Sequence, residues 1–222
     1  MGRDIAIETS HGLVDGWLAE PEGAPRGALV VVQEIFGVNE HMRSVTERFA
    51  ASGYRALAPS LFDPVQADVE LGYGEDGFAR GRALAAELGF DRALAIVAAA
   101  AERLRGDGLK VGVVGYCWGG SVAYLANTRL SLPAVSYYGA RTVPFLQEPL
   151  RAPMLFHFGA DDASTPPADV EAHRSAHPDA ELYVYPGAGH AFNRDVDPAH
   201  FHAESADLAL KRTLAFFEAQ LS

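Results

Sequence analysis

Residues 111–127, VGVVGYCWGGSVAYLAN, carry a run of small apolar residues into the only cysteine of the chain, Cys117. The apolar run predicts a buried strand, and the residues after the cysteine predict a helix. A strand, a sharp turn and a helix in this order are typical of α/β proteins. The pentapeptide 115–119, GYCWG, fits the pattern glycine, any residue, nucleophile, any residue, glycine, with cysteine where serine is usual.

Glycine is needed at both ends of this pentapeptide because larger side chains would collide where the helix crosses the strand. The turn would expose the sulfur of Cys117 at the helix N-terminus, where the helix dipole and the backbone N–H groups favour a thiolate and an oxyanion. The N–H of Trp118 would then supply half of an oxyanion hole. A buried structural cysteine beside packing glycines is the alternative interpretation.

The flanking sequence predicts strands that alternate with helices. The predicted strands are an N-terminal hairpin over 4–8 and 13–19, followed by 28–33, 54–58, 110–115, 134–138, 153–158 and 181–185. Helices are predicted from an Asn39 cap to Ser52, over most of 78–105 with a break near Gly89, from 118, between the later strands, and over 203–220. This alternation predicts a mostly parallel sheet with helices on both faces, whose functional edge lies at the carboxyl ends of the strands. We expect one domain over residues 1–222.

Composition narrows the classes of partner. The formal net charge of −11 argues against nucleic acid, because phosphate binding needs clustered lysine and arginine. A single cysteine cannot form an internal disulfide, so an oxidising compartment is not required. The sequence has no apolar segment typical of a signal peptide or of a membrane span. We therefore expect a cytoplasmic protein that acts on a small molecule, away from membranes, and leave the oligomeric state open.

An acid and a histidine follow two later strands. Asp161 and Asp162 come after strand 153–158, and His190 lies in the glycine-containing segment after strand 181–185. Nucleophile, acid and histidine occur in this order in α/β-hydrolases. A neutral imidazole can accept the thiol proton and later return it to the leaving group, while the carboxylate fixes the tautomer. Turn-forming aspartates and an exposed loop histidine are the alternative, but three elements in order favour catalysis.

With these motifs the chain resembles the dienelactone hydrolase family, also called carboxymethylenebutenolidases, from about residue 26 to the C-terminus. The resemblance is carried by QEIFGVNEH (33–41), GYCWGG (115–120), SYYG (136–139), FHFGADD with a later proline (156–166) and GAGHAF (187–192). It implies an α/β-hydrolase fold and the opening of a lactone or activated ester, ideally one bearing a carboxylate, as in EC 3.1.1.45. It implies no cofactor and no metal.

The resemblance also implies residue roles. The triad would be Cys117, His190 and Asp162, since the family spacing G-x-x-D-x-x-x-P selects Asp162 over Asp161. Glu34 would contact the resting thiol and help to deprotonate it when substrate arrives, because a neighbouring carboxylate disfavours the oxidation-prone thiolate. The N–H of Ile35 would complete the oxyanion hole.

Three arginines are candidates for substrate binding. Arg194 matches a family arginine that meets the substrate carboxylate, and we expect it to pair with Glu34 when the site is empty. A second such arginine is expected near the start of helix 78–105, where Arg80 and Arg82 both remain open because the region aligns poorly. Trp118 stands where a smaller aliphatic residue is common, which would reshape the pocket.

Three other histidines are expected to have structural or surface positions. His157, inside an apolar strand, is expected to be a hydrogen-bonded core residue. His200 and His202, with Asp195 and Asp197 nearby, could suggest a metal, but a surface position is favoured. The remaining functional alternatives are an esterase or thioesterase of other acyl specificity and a non-catalytic, redox-sensing thiol protein.

Overall fold

The computed structural model describes residues 2–106 and 108–221, and these residues form two compact units. The first unit comprises the described residues up to Val113 together with Leu221, and the second runs Val114–Gln220. The single domain over 1–222 stays a prediction.

The described residues contain eight strands and five α-helices. The strands are β1 (Arg3–Thr9), β2 (Gly12–Ala19), β3 (Ala28–Val32), β4 (Arg55–Pro59), β5 (Val111–Tyr116), β6 (Ala134–Tyr137), β7 (Met154–Gly159) and β8 (Glu181–Tyr185). The helices are α1 (Glu40–Ala51), α2 (Glu75–Arg105), α3 (Trp118–Leu130), α4 (Pro167–Ala176) and α5 (Ala203–Leu221). The predicted strands are confirmed to within one or two residues at each end.

In the first unit the strands pair in the order β1-β2-β4-β3, with the hairpin and the β2–β4 pair antiparallel and the β3–β4 pair parallel. All five residues of β3 are buried, as its continuous apolar sequence predicts. The Asn39 side chain caps α1 by accepting a hydrogen bond from the Met42 N–H at 3.2 Å. Gly89 interrupts α2 at φ 72°, ψ 167°, which confirms the expected break.

In the second unit β6, β7 and β8 lie side by side in that order and run parallel. Their carboxyl ends therefore lie at one edge, where the loops after Tyr137, Gly159 and Tyr185 emerge. Helix α3 is buried from Gly119 to Thr128, as expected of a helix packed tightly against a sheet.

One predicted element is wrong. We expected a helix in each connection between the later strands, but β6 and β7 are joined by a segment whose only helical part is a short 3₁₀ turn, Val143–Phe145. Prolines at 144, 149 and 153 explain the difference, because each removes a backbone donor and clashes with a continuing α-helix.

His157 on β7 is fully buried, and both of its ring nitrogens are hydrogen bonded. Nδ1 lies 2.8 Å from the Tyr185 hydroxyl and Nε2 lies 3.0 Å from Thr213 Oγ1 on α5. This arrangement confirms the expected core role, and it anchors α5 to the strands. Across the described residues, every helix is too short or too polar to cross a membrane.

Candidate active site

Cys117 occupies the turn between β5 and α3 in a conformation that non-glycine residues rarely adopt, φ 54° and ψ −119°. Its backbone N–H donates a hydrogen bond to the Tyr137 carbonyl at the end of β6, 3.0 Å away. A Cβ atom on Gly115 would lie 1.8 Å from the Gly119 carbonyl oxygen, so glycine is required before the turn. The turn leaves the thiol half-buried at the N-terminus of α3, where N–H groups can receive a negative charge.

His190 lies between the thiol and a carboxylate. Its Nε2 is 3.1 Å from Cys117 Sγ, and its Nδ1 is 2.8 Å from Asp162 Oδ2. The His190 side chain is 23% exposed whereas that of Asp162 is fully buried, so solvent reaches the imidazole but not the acid. The three groups form one continuous hydrogen-bonded chain, and its acid is Asp162, while its neighbour Asp161 is exposed.

Asp162 is held by its own loop. The Ser164 N–H donates to Oδ1 at 2.7 Å, and the Thr165 hydroxyl donates to Oδ2 at 2.9 Å. Burial alone would raise the pKa of Asp162. The hydrogen bonds and the charge of His190 lower it by a larger amount, so the net pKa lies below the usual value. The roles of Ser164 and Thr165 were not predicted from the sequence, although hydroxyl residues two and three positions after an aspartate are typical of a turn.

Opposing effects also act on His190. Burial lowers its pKa, whereas Cys117 and Asp162 together raise it more, to a net pKa of about 10. The positively charged imidazolium is therefore favoured at neutral pH. An imidazolium in this position can give its proton to a departing group.

The loop that carries His190 packs closely on the end of β7. A Cβ atom on Gly159 would lie 2.4 Å from the Ala188 carbonyl oxygen, so the glycine permits this close approach. The Tyr138 ring packs edge-on against the imidazole, with 5.2 Å between the ring centres. These contacts limit the orientations that the imidazole can adopt.

Arg194 follows four residues after His190 and is only 5% exposed. Its Nη1 donates to Asp197 Oδ2 at 3.1 Å, and His200 Nδ1 lies 2.8 Å from the same oxygen. The pairing of Arg194 with Asp197 was not anticipated from sequence, because a single acid three residues away is a common surface pattern. His200 lies at the surface, as expected, and no group of three metal-binding side chains occurs among residues 2–106 and 108–221.

Glu34 and Ile35 belong to the first unit and follow directly after β3 and Gln33. Both are buried, at 1% and 5% exposure. The Gln33 amide fixes the loop, since its Nε2 donates to the Glu34 carbonyl at 3.3 Å and its Oε1 accepts from the Leu61 N–H at 3.0 Å. A buried acid at the carboxyl end of a parallel strand is in a position typical of functional side chains.

Arg80 and Arg82, near the start of α2, are both exposed. Arg80 donates to the Gln66 side chain in the long loop. The Arg82 guanidinium lies over the Phe78 ring, 5.8 Å from its centre, and lines an open cavity of about 540 Å³ within the first unit.

Comparison with known proteins gives a consistent result. The dienelactone hydrolase family matches residues 14–221. A Yersinia pestis protein, provisionally assigned as a carboxymethylenebutenolidase, is 36% identical over 96% of this chain and 86% of the relative. A Synechocystis protein, also provisionally assigned as a carboxymethylenebutenolidase, is 33% identical over 98% of this chain and 96% of the relative.

Solved structures agree. A Klebsiella pneumoniae protein provisionally assigned as a dienelactone hydrolase superposes with a TM-score of 0.85 at 31% identity, covering 98% of both chains. A dienelactone hydrolase from Anabaena variabilis, at 18% identity, shares the fold with a TM-score of 0.71 over 100% of this chain and 99% of that one. The expected α/β-hydrolase fold, with a mostly parallel sheet and helices, is confirmed. The protein is a hydrolase of the carboxylic-ester type, similar to EC 3.1.1.45, and the chain belongs to the dienelactone hydrolase family.

Proposed function

We propose that this protein opens a lactone or activated ester bearing a carboxylate, with Cys117, His190 and Asp162 as a catalytic triad and a thioester as intermediate. The observation that carries the proposal is the hydrogen-bonded chain from Sγ to Nε2 at 3.1 Å and from Nδ1 to Oδ2 at 2.8 Å. A thiol at a strand-to-helix turn, paired with an oriented imidazole, is suited to nucleophilic attack on a carbonyl.

In the first half of the proposed reaction, the Cys117 thiolate attacks the ester carbonyl carbon and forms a C–S bond. The negative charge moves to the carbonyl oxygen, which the backbone N–H groups of Trp118 and Ile35 stabilise as an oxyanion hole. When the intermediate collapses, the C–O bond of the ester breaks. The departing oxygen takes the His190 proton, and the acyl group remains on sulfur as a thioester.

In the second half, the neutral imidazole of His190 accepts a proton from water, and the hydroxide formed attacks the thioester carbonyl. Collapse of this intermediate breaks the C–S bond and gives the product acid, which loses its proton to solvent. The thiolate released in the same step takes the imidazolium proton and returns to the resting thiol. Asp162 keeps the imidazole oriented throughout and stabilises its charged form. An enolate or other activated alkoxide leaves readily, so a thiolate nucleophile is sufficient.

Three further residues have roles in this proposal. Glu34 restrains the resting thiol and promotes its ionisation when an anionic substrate binds. Arg194 receives the substrate carboxylate, and one of Arg80 and Arg82 assists it. A cytoplasmic location belongs to the same proposal, because a reducing compartment protects a nucleophilic thiol. Cell fractionation, with thiol titration of this protein recovered from each fraction, tests the location.

The decisive experiment is Cys117→Ala, assayed on a panel of carboxylate-bearing lactones, neutral lactones, simple esters and thioesters. We expect a loss of at least about a thousandfold in kcat, by analogy with the removal of other catalytic nucleophiles. Mass spectrometry of the wild-type protein, quenched during turnover, should find the acyl group on the peptide that contains Cys117.

Activity that survives Cys117→Ala would contradict the triad. Cys117→Ser serves as the matched control, because it keeps the size of the side chain and leaves the turn intact. If the wild-type protein prefers neutral esters or thioesters to carboxylate-bearing lactones, the proposed substrate class is wrong but the catalytic triad still stands.

A further inference from the structure

We propose that Asp197 is a positioning residue that fixes the guanidinium of Arg194 and thereby sets the preference of the enzyme for carboxylate-bearing substrates. The inference rests on the proposed function, in which Arg194 receives the substrate carboxylate. Asp197 itself touches no reacting atom and acts only through Arg194.

The backbone around these two residues is tightly turned. The Arg194 N–H donates to the Ala191 carbonyl at 2.9 Å, and the Asp197 N–H donates to the Arg194 carbonyl at 3.1 Å. The segment closes where the His202 N–H donates to the Phe192 carbonyl at 3.0 Å. Arg194 and Asp197 therefore lie on consecutive turns shortly after His190. The hydrogen bonds of these turns fix the backbone between them and bring the two side chains together.

Burial makes the pairing necessary. The side chains of Arg194 and Asp197 are only 6% and 13% exposed. A buried guanidinium is costly unless it is paired and hydrogen bonded. The 3.1 Å bond to Asp197 Oδ2 uses one of the five N–H donors and, with the burial of the side chain, limits the orientations of the guanidinium plane. Recognition of a carboxylate by arginine depends on that plane, since the two groups meet edge to edge.

His200 in turn holds Asp197. Its Nδ1 lies 2.8 Å from the same Oδ2 atom that accepts from Arg194, while its side chain is 52% exposed. Partial burial raises the pKa of Asp197, but the hydrogen bonds from Arg194 and His200 lower it more, so the carboxylate stays ionised at neutral pH. Because the same carboxylate oxygen accepts hydrogen bonds from two side chains, the Asp197 carboxylate has little freedom to rotate. The position of the Arg194 guanidinium is restricted in turn.

The test is Asp197→Asn, which keeps the shape of the side chain and removes its charge. We expect kcat/KM for a carboxylate-bearing ester to fall about tenfold through KM, the size expected for one hydrogen bond to a charged group. For a matched neutral ester kcat/KM should stay unchanged. Asp195→Asn is the matched control, because it makes the same change two residues away at an exposed position.

A double-mutant cycle with Arg194→Gln separates positioning from a general structural effect. If Asp197 acts through Arg194, Asp197→Asn should cause no further loss of selectivity in the Arg194→Gln background. Equal losses in both backgrounds, or unchanged selectivity in Asp197→Asn, would overturn the inference. Asp197→Glu keeps the charge and should retain more selectivity than Asn, which gives a second readout if the Asn variant folds poorly.

The same assays separate this inference from the proposed function. Activity in Cys117→Ala, or a wild type that hydrolyses none of the esters, would reject the proposed function. A Cys117-dependent wild type whose preference for the carboxylate-bearing ester is insensitive to Asp197→Asn would reject the positioning role alone.

Discussion

Asp162 and its neighbour Asp161 differ in environment although they are adjacent in sequence. Asp162 is buried and accepts hydrogen bonds from Ser164, Thr165 and His190, whereas Asp161 is exposed. The acid-bearing loop and its position before His190 could be predicted from sequence. The choice between the two acids came from a family spacing, because turn chemistry alone permits either residue.

Asp162→Asn should leave the fold intact and impair catalysis. The amide cannot fix the imidazole tautomer as the carboxylate does, and we expect kcat to fall by at least about a hundredfold. Asp162 also raises the pKa of His190, so the substitution should lower that pKa, which NMR titration of the imidazole measures. Asp161→Asn is the matched control. If kcat falls more in Asp161→Asn than in Asp162→Asn, the catalytic acid is Asp161 and the assignment to Asp162 is wrong.

The elements of this protein were predictable where one pattern dominates. The continuous apolar sequence of β3, the Asn39 cap and the break at Gly89 each act locally, and the structure has them where expected. The connection after β6 was not predictable in the same way, because an alternation of strands and helices suggests a helix there and the prolines oppose it. Asp197 was missed for a related reason, since burial of Arg194 is a tertiary property that spacing does not reveal.

The turn between β5 and α3 depends on a glycine. A Cβ atom at Gly115 would lie 1.8 Å from a backbone oxygen, so Gly115→Ala must displace the backbone of the turn. We expect the free energy of unfolding to fall by about 1–3 kcal/mol, as for overpacking elsewhere, and kcat to fall because Sγ leaves its position beside His190. Urea unfolding and ester hydrolysis measure the two effects.

Gly23→Ala is the control for Gly115→Ala, because a Cβ atom at Gly23 meets nothing within 4 Å. Its stability and kcat should match the wild type. A Gly115→Ala protein with wild-type stability and activity would mean that the turn tolerates a side chain, and the geometric reason for the glycine pattern would be lost.

The protein as a whole should lose stability in acid because three histidines in the second unit are buried and held neutral. Burial lowers the pKa of His157 to about 3, with a further decrease from the charge of Arg212, and burial also lowers the pKa values of His173 and His177. The unfolded chain binds protons at these residues below about pH 6.5, whereas the native protein does not. Stability is therefore lost as the pH falls, by up to about 1.4 kcal/mol per pH unit for each histidine.

Two groups act in the opposite direction. His190 has its pKa raised to about 10, so its contribution is complete below about pH 6.5 and is lost as the pH rises towards 10. Asp63, partly exposed, has its pKa raised to about 6 mainly by burial, so it favours the native state below about pH 4 and loses that effect as the pH rises through 6. In acid the three histidines, together with Asp162 and Asp197, whose lowered pKa values also stabilise the native state less as the pH falls, outweigh Asp63. We therefore expect maximum stability near neutral pH.

Urea unfolding at pH 5, 6 and 7 measures this slope, and His157→Gln tests its origin. Glutamine cannot titrate, so the variant should be less stable at pH 7, where it loses the hydrogen bonds to Tyr185 and Thr213, but should lose stability more slowly in acid. The difference in slope should approach one proton, about 1.4 kcal/mol per pH unit, between pH 5 and 6. His11→Gln, at an exposed turn, is the control for the loss of a histidine. If the dependence of the free energy of unfolding on pH is unchanged in His157→Gln, protonation of the buried His157 imidazole is not the cause of the stability loss in acid.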